Sequence, residues 1–192
     1  MTAQATAHLE TERLGPYLAE HVREFGHLVS AEKFAGGQSN PTFLITSTEG
    51  RFVLRRKPPG TLLKSAHAVD REYRVMAALA QTDVPVPRVL HLCTDDSIIG
   101  SMFYVMDFIE GRIFWDGKLP DLQFDERGAI YDSMNAALAA LHKVDPAAVG
   151  LAGYAGRPTG TVVTFAFIYN GGGREPKARE LFDRLAAELV QD

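Results

Sequence analysis

The sequence predicts an α+β fold with five mostly antiparallel strands and one helix inserted between the third and fourth strands. Three observations favour this fold. Short segments typical of strands are separated by turn residues, a helical spacing of apolar residues interrupts them once, and a long helical segment follows the fifth. Because the first three segments have short connections, they suggest an antiparallel meander.

The predicted elements run in the order helix, three strands, helix, two strands, linker and helix. In the first helix, apolar residues from Leu14 to Phe25 recur at spacings of three and four, and the helix is expected to end near Gly26. The predicted strands are 29–35, 42–46, 51–56, 88–93 and 102–108, and the later helices are 65–80 and 125–144. The long last helix carries on one side Ile130, Met134, Ala137, Leu138 and Leu141.

Composition and charge exclude several classes of protein. Of the 192 residues, 46% are apolar and 23% are charged, as in ordinary globular proteins, so disordered and membrane classes are excluded. The net charge of −4 argues against a general nucleic-acid binder. Cys93 is the only cysteine, and the sequence has no signal-peptide pattern and no apolar run of about 18 residues. We therefore expect a soluble, cytoplasmic protein without nucleic-acid or membrane partners.

Two glycines lie at the tip between the first and second predicted strands, in the segment Gly36, Gly37, Gln38, Ser39 and Asn40. Because glycine has no Cβ, backbone N–H groups at such a tip are able to approach a phosphate. Glycine is also common at ordinary hairpin tips, so both interpretations stay open. The segment is not a Walker loop, since no Lys-Ser or Lys-Thr pair and no helix follow it.

A cation on the third predicted strand is the next candidate for phosphate binding. Arg55 is followed by Arg56 and Lys57, and both an arginine fork and a lysine ammonium group bind phosphate oxygens. Glu72 on the following helix could fix such a cation by an ion pair, although an exposed strand charge and a helix-surface carboxylate are equally ordinary. A glycine hairpin, a strand cation and a helix glutamate in this order are the layout of the small lobe of protein kinases.

Five further motifs occur as an ordered set over more than half of the chain. They are Arg55-Arg56-Lys57-Pro58-Pro59-Gly60, Ser65-Ala66-His67-Ala68-Val69-Asp70-Arg71-Glu72-Tyr73, Val84-Pro85-Val86-Pro87, Phe103-Tyr104-Val105-Met106-Asp107-Phe108-Ile109-Glu110-Gly111 and Leu138-Ala139-Ala140-Leu141-His142. With this set the sequence, from about Phe34 to Leu151, resembles the aminoglycoside phosphotransferase family of kinase-like enzymes. It is most similar to the branch found as the kinase-like domain of acyl-CoA dehydrogenase-containing proteins.

The resemblance implies a protein-kinase-like small lobe followed by part of a helical large lobe. It also implies transfer of the γ-phosphoryl group of ATP, with magnesium, to a hydroxyl group of a small molecule. Residues Gly36 to Asn40 match the loop that covers the nucleotide phosphates. Arg55 matches the strand cation, with Arg56 or Lys57 as alternatives, and Glu72 matches the helix glutamate.

The resemblance further places an adenine-binding hinge at residues 104–109, which would hydrogen-bond the base through its backbone. Tyr104 and Phe108 belong to this hinge. Met106 is the expected floor of the adenine pocket, although packing in the core of the strand would explain a methionine there equally well.

The catalytic segments of the family are missing from this sequence. A segment of the type His-Gly-Asp-x-x-x-x-Asn, whose aspartate orients the acceptor hydroxyl and whose asparagine helps to hold magnesium, does not follow His142, and neither does a later Asp-x-Asp or Asp-x-Glu. No catalytic residue and no magnesium ligand are therefore assigned. We expect a truncated, catalytically impaired phosphotransferase or, alternatively, a non-catalytic nucleotide-binding or pseudokinase-like remnant or fusion product.

The segment 151–192 has a different, glycine- and alanine-rich beginning. Together with an apolar strand at 161–169 and a helix at 178–189, it weakly resembles the end of D-alanyl-D-alanine carboxypeptidases, although Thr159-Gly160 follows Pro158 where those proteins have lysine. Any strand–turn–helix closing unit would look similar. We therefore expect a kinase-like lobe at 1–108, a hinge and start of the large lobe at 109–150, and an atypical β-α tail at 151–192.

Overall fold

The computed structural model describes residues 9–34, 40–58, 68–114, 116–152, 156–157 and 160–161. The chain divides into two units, Met1–Glu110 and Gly111–Asp192. The division after residue 108 and a separate tail from residue 151 stay predictions.

The first unit is built on one antiparallel sheet of five strands. Its strands are β1 (Leu28–Lys33), β2 (Thr42–Ser47), β3 (Arg51–Arg56), β4 (Val89–Cys93) and β5 (Phe103–Asp107), and its helices are α1 (Thr11–His21) and α2 (Val69–Leu79). The strands are ordered β1-β2-β3-β5-β4, and every neighbouring pair is antiparallel. The predicted α+β fold, with a meander of three strands and a helix inserted before the last two, is confirmed.

The two faces of the sheet carry different side chains, because neighbouring residues of a strand point to opposite sides. One face belongs to the apolar core, where Phe43, Leu54 and Phe103 are fully buried together with Leu14 and Leu18 of α1. The other face meets α2, which packs against β4 and β5. In β3, Phe52 and Leu54 therefore point into the core, whereas Val53 and Arg55 lie on the face toward α2.

The first helix ends earlier than the sequence predicts. Val22 leaves the helix with φ −115° and ψ 101°, although the apolar spacing continues to Phe25. Val22 and Phe25 are 3% and 0% exposed, so the continued spacing reflects burial in the turn after the helix. Gly26 then takes φ +64°, and a Cβ at this position would overlap the hydroxyl of Thr48.

The second unit contains the long helix α3 (Phe124–His142) and a short antiparallel pair, β6 (Gly156–Arg157) with β7 (Gly160–Thr161). The bounds of α3 agree with the predicted ones to within two residues. No residue of α3 is fully buried, and Met134 on its apolar side is 60% exposed. Apart from Thr161, the strand predicted at 161–169 lies outside the described residues, as does the helix predicted at 178–189. Among the described helices, none is long and apolar enough to cross a membrane.

Candidate functional site

Arg55 of β3 and Glu72 of α2 form a bidentate ion pair on the face of the sheet that packs against α2. The Nε of Arg55 donates to Oε2 of Glu72 at 2.7 Å, and Nη2 donates to Oε1 at 3.4 Å. The side chains of Arg55 and Glu72 are 29% and 35% exposed, so the pair is shielded from bulk water but remains open on one side. Such side-on pairs fix the plane of the guanidinium group as well as its position.

The start of α2 places Glu72 at this point. Val69 is fully buried and anchors the first turn, and the backbone N–H of Glu72 bonds the carbonyl of Ala68, the residue before the helix. A carboxylate in the first turn is also favoured by the helix dipole. The sequence thus sets an acidic side chain at the helix end that faces β3.

Two more side chains donate hydrogen bonds to the same carboxylate. Asn40, just before β2, donates from Nδ2 to Oε1 of Glu72 at 2.9 Å, and Tyr104 of β5 donates its hydroxyl to Oε2 at 3.0 Å. Arg55 in turn donates from Nη1 to the hydroxyl of Thr42 at 3.1 Å, and that hydroxyl donates to the carbonyl of Asn40. Glu72 is thereby tied to β3, to β5 and to Asn40 in the segment that leads into β2.

The phenol of Tyr104 keeps its proton. Burial raises its pKa well above the ordinary tyrosine value, and the neighbouring negative charge of Glu72 raises the pKa further. Tyr104 is only 2% exposed and is therefore a permanent donor toward the carboxylate.

The structure distinguishes the three adjacent cations that the sequence left as alternatives. Arg55 contacts Glu72, whereas Arg56 points to the opposite face and is 4% exposed. Burial lowers the pKa of Arg56, and its Nε has no hydrogen-bond partner in the described part of the chain. The backbone N–H of Lys57 bonds the carbonyl of Met102, which continues the pairing beyond the end of β3. Among the three, Arg55 alone has the ion pair with Glu72.

The other predicted residues are placed as follows. Met106 is half-buried on β5, opposite Val53 of β3, and Phe108 follows the end of β5 with its ring centre 4.5 Å from the guanidinium carbon of Arg51. Gly36, Gly37, Gln38 and Ser39 lie outside the described residues.

Tyr104 lies within β5, whereas Phe108 and Ile109 follow its end. It lies between Arg55 of β3 and Leu92 of β4 in the middle of the sheet, and its contact with the ion pair is made by the side chain. Residues 108 and 109 are the part of the predicted hinge that follows the strand. Contact of the segment 104–109 with adenine stays a prediction.

Sequence reasoning missed Thr42. The sequence did contain a clue to its role. Thr42 is the first residue of the second predicted strand, and it lies opposite Arg55 across the β2–β3 hairpin. Residues opposite each other on one face of an antiparallel pair are in contact distance.

Magnesium, which the resemblance implies, has no obvious site here. Within the described ranges no group of three or more His, Cys, Asp or Glu side chains could hold a metal ion. Glu72 is the carboxylate of the ion pair, and both of its oxygens already accept hydrogen bonds from four donor groups. The described residues therefore do not fit a magnesium site.

A five-stranded antiparallel sheet with an inserted helix, and a strand cation paired with a glutamate of that helix, define a kinase-like small lobe. Residues 30–191 match the APH family, described as the phosphotransferase enzyme family, and the chain belongs to this family. The match includes the segment from residue 151 onward.

The chain is also similar to parts of longer proteins. The chain is 52% identical over 119 residues to acyl-CoA dehydrogenase family member 10 of Mus musculus, covering 62% of this chain and 11% of that protein. It is 43% identical over 145 residues to family member 11 of Rattus norvegicus, covering 73% and 19%. A crystal structure from Ralstonia eutropha, described as an aminoglycoside phosphotransferase, superposes with a TM-score of 0.67 at 47% identity, covering 79% of this chain and 43% of that one. The chain thus spans less than half of each relative.

Proposed function

We propose that this chain is the nucleotide-binding part of an ATP-dependent phosphotransferase. In the full reaction the oxygen of a small-molecule hydroxyl would bond the γ-phosphorus of ATP, the bond to the β-γ bridging oxygen would break, and the hydroxyl proton would be released with ADP as the other product. The observation that carries the proposal is the Arg55–Glu72 ion pair, at 2.7 Å, in a chain of the phosphotransferase family.

Arg55 is suited to hold phosphate oxygens. An arginine side chain has five N–H donors, of which three are engaged by Glu72 and Thr42 within the described part of the chain. The remaining donors and the exposed fraction of the side chain leave the guanidinium group able to bind an anion. The segment Gly36 to Asn40, which precedes β2, would cover the phosphates, with Asn40 next to the ion pair.

The adenine would lie against the end of β5. Met106 would supply the apolar floor, and the backbone of Phe108 and Ile109 would form the hydrogen bonds to the base. Both positions follow from the family resemblance and from the place where the strand ends.

We further propose that residues 1–192 alone transfer phosphate poorly or not at all, because the sequence contains no His-Gly-Asp-x-x-x-x-Asn segment. A nucleotide-binding role without transfer is the second candidate function, favoured by the same observation. Magnesium would accompany the nucleotide as its counter-ion. The single cysteine is buried, which is consistent with a reducing, cytoplasmic setting.

Calorimetric titration with ATP and magnesium tests the binding proposal. We expect weak binding of ATP that is lost in Arg55→Ala. The matched control is Arg13→Ala, because Arg13 lies on α1 and pairs with the exposed Glu10. Absence of both heat and thermal shift at millimolar ATP would rule out the proposal.

A further inference from the structure

The side chain of Tyr104 holds one of the two oxygens of Glu72. The carboxylate has about four lone-pair directions, and four donor groups use them. Oε2 accepts from Nε of Arg55 and from the hydroxyl of Tyr104, while Oε1 accepts from Nη2 of Arg55 and from Nδ2 of Asn40. Each oxygen therefore has one bond to Arg55 and one bond to another element.

The ring of Tyr104 is itself fixed. It makes an edge-on contact with the ring of Tyr73 of α2, with centroids 6.2 Å apart. Tyr104 is buried on β5, which lies between β3 and β4 in the sheet. The hydroxyl thus reaches Glu72 from a rigid support on the sheet. Arg55 and Glu72, in contrast, are long side chains with many rotamers.

We infer that Tyr104 is a positioning residue of the nucleotide site, whose hydroxyl fixes the Glu72 carboxylate so that Arg55 is held ready for phosphate before nucleotide binds. This inference rests on the proposed function and deepens it. In kinases the ion pair between the strand cation and the helix glutamate must be in place for activity, and movement of that helix controls it. Here the bond from β5 to Glu72 ties α2 to the sheet without help from a ligand.

In the hydrogen bond between Tyr104 and Glu72, the phenol is the donor, as a positioning role requires. Because the phenol stays protonated, it donates to the carboxylate and stabilises its negative charge, which in turn keeps Arg55 paired. Removing the hydroxyl would leave Oε2 with Arg55 alone and let the carboxylate rotate. Arg55 would then lose its fixed plane, and part of the nucleotide's binding free energy would be spent on ordering it.

The test compares Tyr104→Phe with Tyr17→Phe in the 192-residue chain. Both variants remove a phenol hydroxyl that makes a side-chain hydrogen bond, but Tyr17 bonds His91 on the other face of the sheet. We expect Tyr104→Phe to raise the dissociation constant of ATP about tenfold, as for loss of a bond to a charged group. Tyr17→Phe should leave it unchanged. In a Glu72→Gln background, Tyr104→Phe should cause no further loss, whereas a merely structural role would give additive losses.

A second readout needs no nucleotide. The Nε–H proton of Arg55, assigned by its loss in Arg55→Lys, should exchange with water faster in Tyr104→Phe than in the unmodified chain or in Tyr17→Phe. Equal ATP affinity in Tyr104→Phe and the unmodified chain, or unchanged exchange of that proton, would overturn this inference while leaving the proposed function intact. Failure of the unmodified chain to bind ATP would overturn both.

Discussion

Tyr17 of α1 and His91 of β4 are joined by a hydrogen bond of 2.8 Å between the phenol oxygen and Nε2 of the imidazole. The ring of His21, one turn further along α1, stacks on Tyr17 with centroids 4.1 Å apart and lies 5.0 Å from the ring of His91. This contact fastens α1 to the edge strand β4. Burial of His91 and the neighbouring ring of His21 both oppose the addition of a proton to His91.

The stability of the first unit should therefore decrease as the solution is acidified. Burial lowers the pKa of His91 below its ordinary value of 6.5, and the neighbouring His21 lowers it further. The unfolded chain then binds more protons than the folded chain below about pH 6.5, so the free energy of unfolding falls as pH decreases through and below that value. Urea denaturation at pH 7.5, 6.5 and 5.5 measures the trend.

The matched variants are His91→Gln and His27→Gln, since the side chain of His27 is exposed and lies in the turn before β1. His91→Gln should flatten the pH dependence, and His27→Gln should leave it as it is. An unfolding free energy that rises on acidification, or the same slope in both variants, would contradict the assignment to His91.

Neutralising Glu72 should weaken nucleotide binding without unfolding the protein. In Glu72→Gln the amide has the same shape, but the charge-assisted bonds to Arg55 are lost, at a cost of about 1.5–3 kcal/mol when such bonds are well shielded. The exposed third of the pair places the expected loss of ATP binding free energy at the lower end of that range. Glu10→Gln, which breaks the exposed pair with Arg13 of α1, is the control. Equal losses in the two variants would speak against a special role of Glu72.

The core face of β3 should dominate the stability of the sheet. Leu54 is fully buried, so Leu54→Ala should lower the free energy of unfolding by about 2–5 kcal/mol. Val29→Ala on β1 should change it by less than about 0.5 kcal/mol, because Val29 is 64% exposed. Chemical denaturation of both variants at pH 7.5 checks the difference, and a similar loss in both would contradict the described packing.

The pairing of a cation at the end of β3 with Glu72 could be predicted from the sequence, whereas the choice of Arg55 over Arg56 and Lys57, and the other partners of Glu72, could not. Strand alternation places Arg55 on the face away from Leu54, and the first turn of the next helix supplies the carboxylate. The contact of Tyr104 with Glu72 depends on β5 lying beside β3 in the strand order, which is a tertiary relation that no local pattern reports.

The end of α1 shows a second reason why sequence patterns do not predict the whole structure. Val22 and Phe25 continue the apolar spacing of the helix while the backbone has already left it, because burial and helical geometry are separate requirements. The apolar side of α3 was likewise visible in the sequence, but a periodic pattern does not say which residues cover it. Local patterns therefore predicted the elements better than the contacts between them.

The last prediction is that the purified 192-residue chain has no appreciable phosphotransferase activity. Phosphoryl transfer depends on positioning the acceptor and on neutralising charge at the transferred group, and the protein performs little covalent work. Arg55 and Glu72 would contact phosphate, but the sequence has no His-Gly-Asp-x-x-x-x-Asn segment to orient a hydroxyl. General-base and electrostatic contributions are each worth factors of roughly 10² to 10⁴, so their joint loss would reduce turnover to the background of ATP hydrolysis.

ATP consumption in the presence of magnesium and a panel of hydroxylated small molecules measures this directly. The unmodified chain and Arg55→Ala should give the same background rate, even though only the former binds ATP. Because contaminating kinases also consume ATP, the comparison between the two chains is the decisive quantity. Turnover that requires magnesium and an acceptor, and that disappears in Arg55→Ala, would show that the residues present complete a working active site.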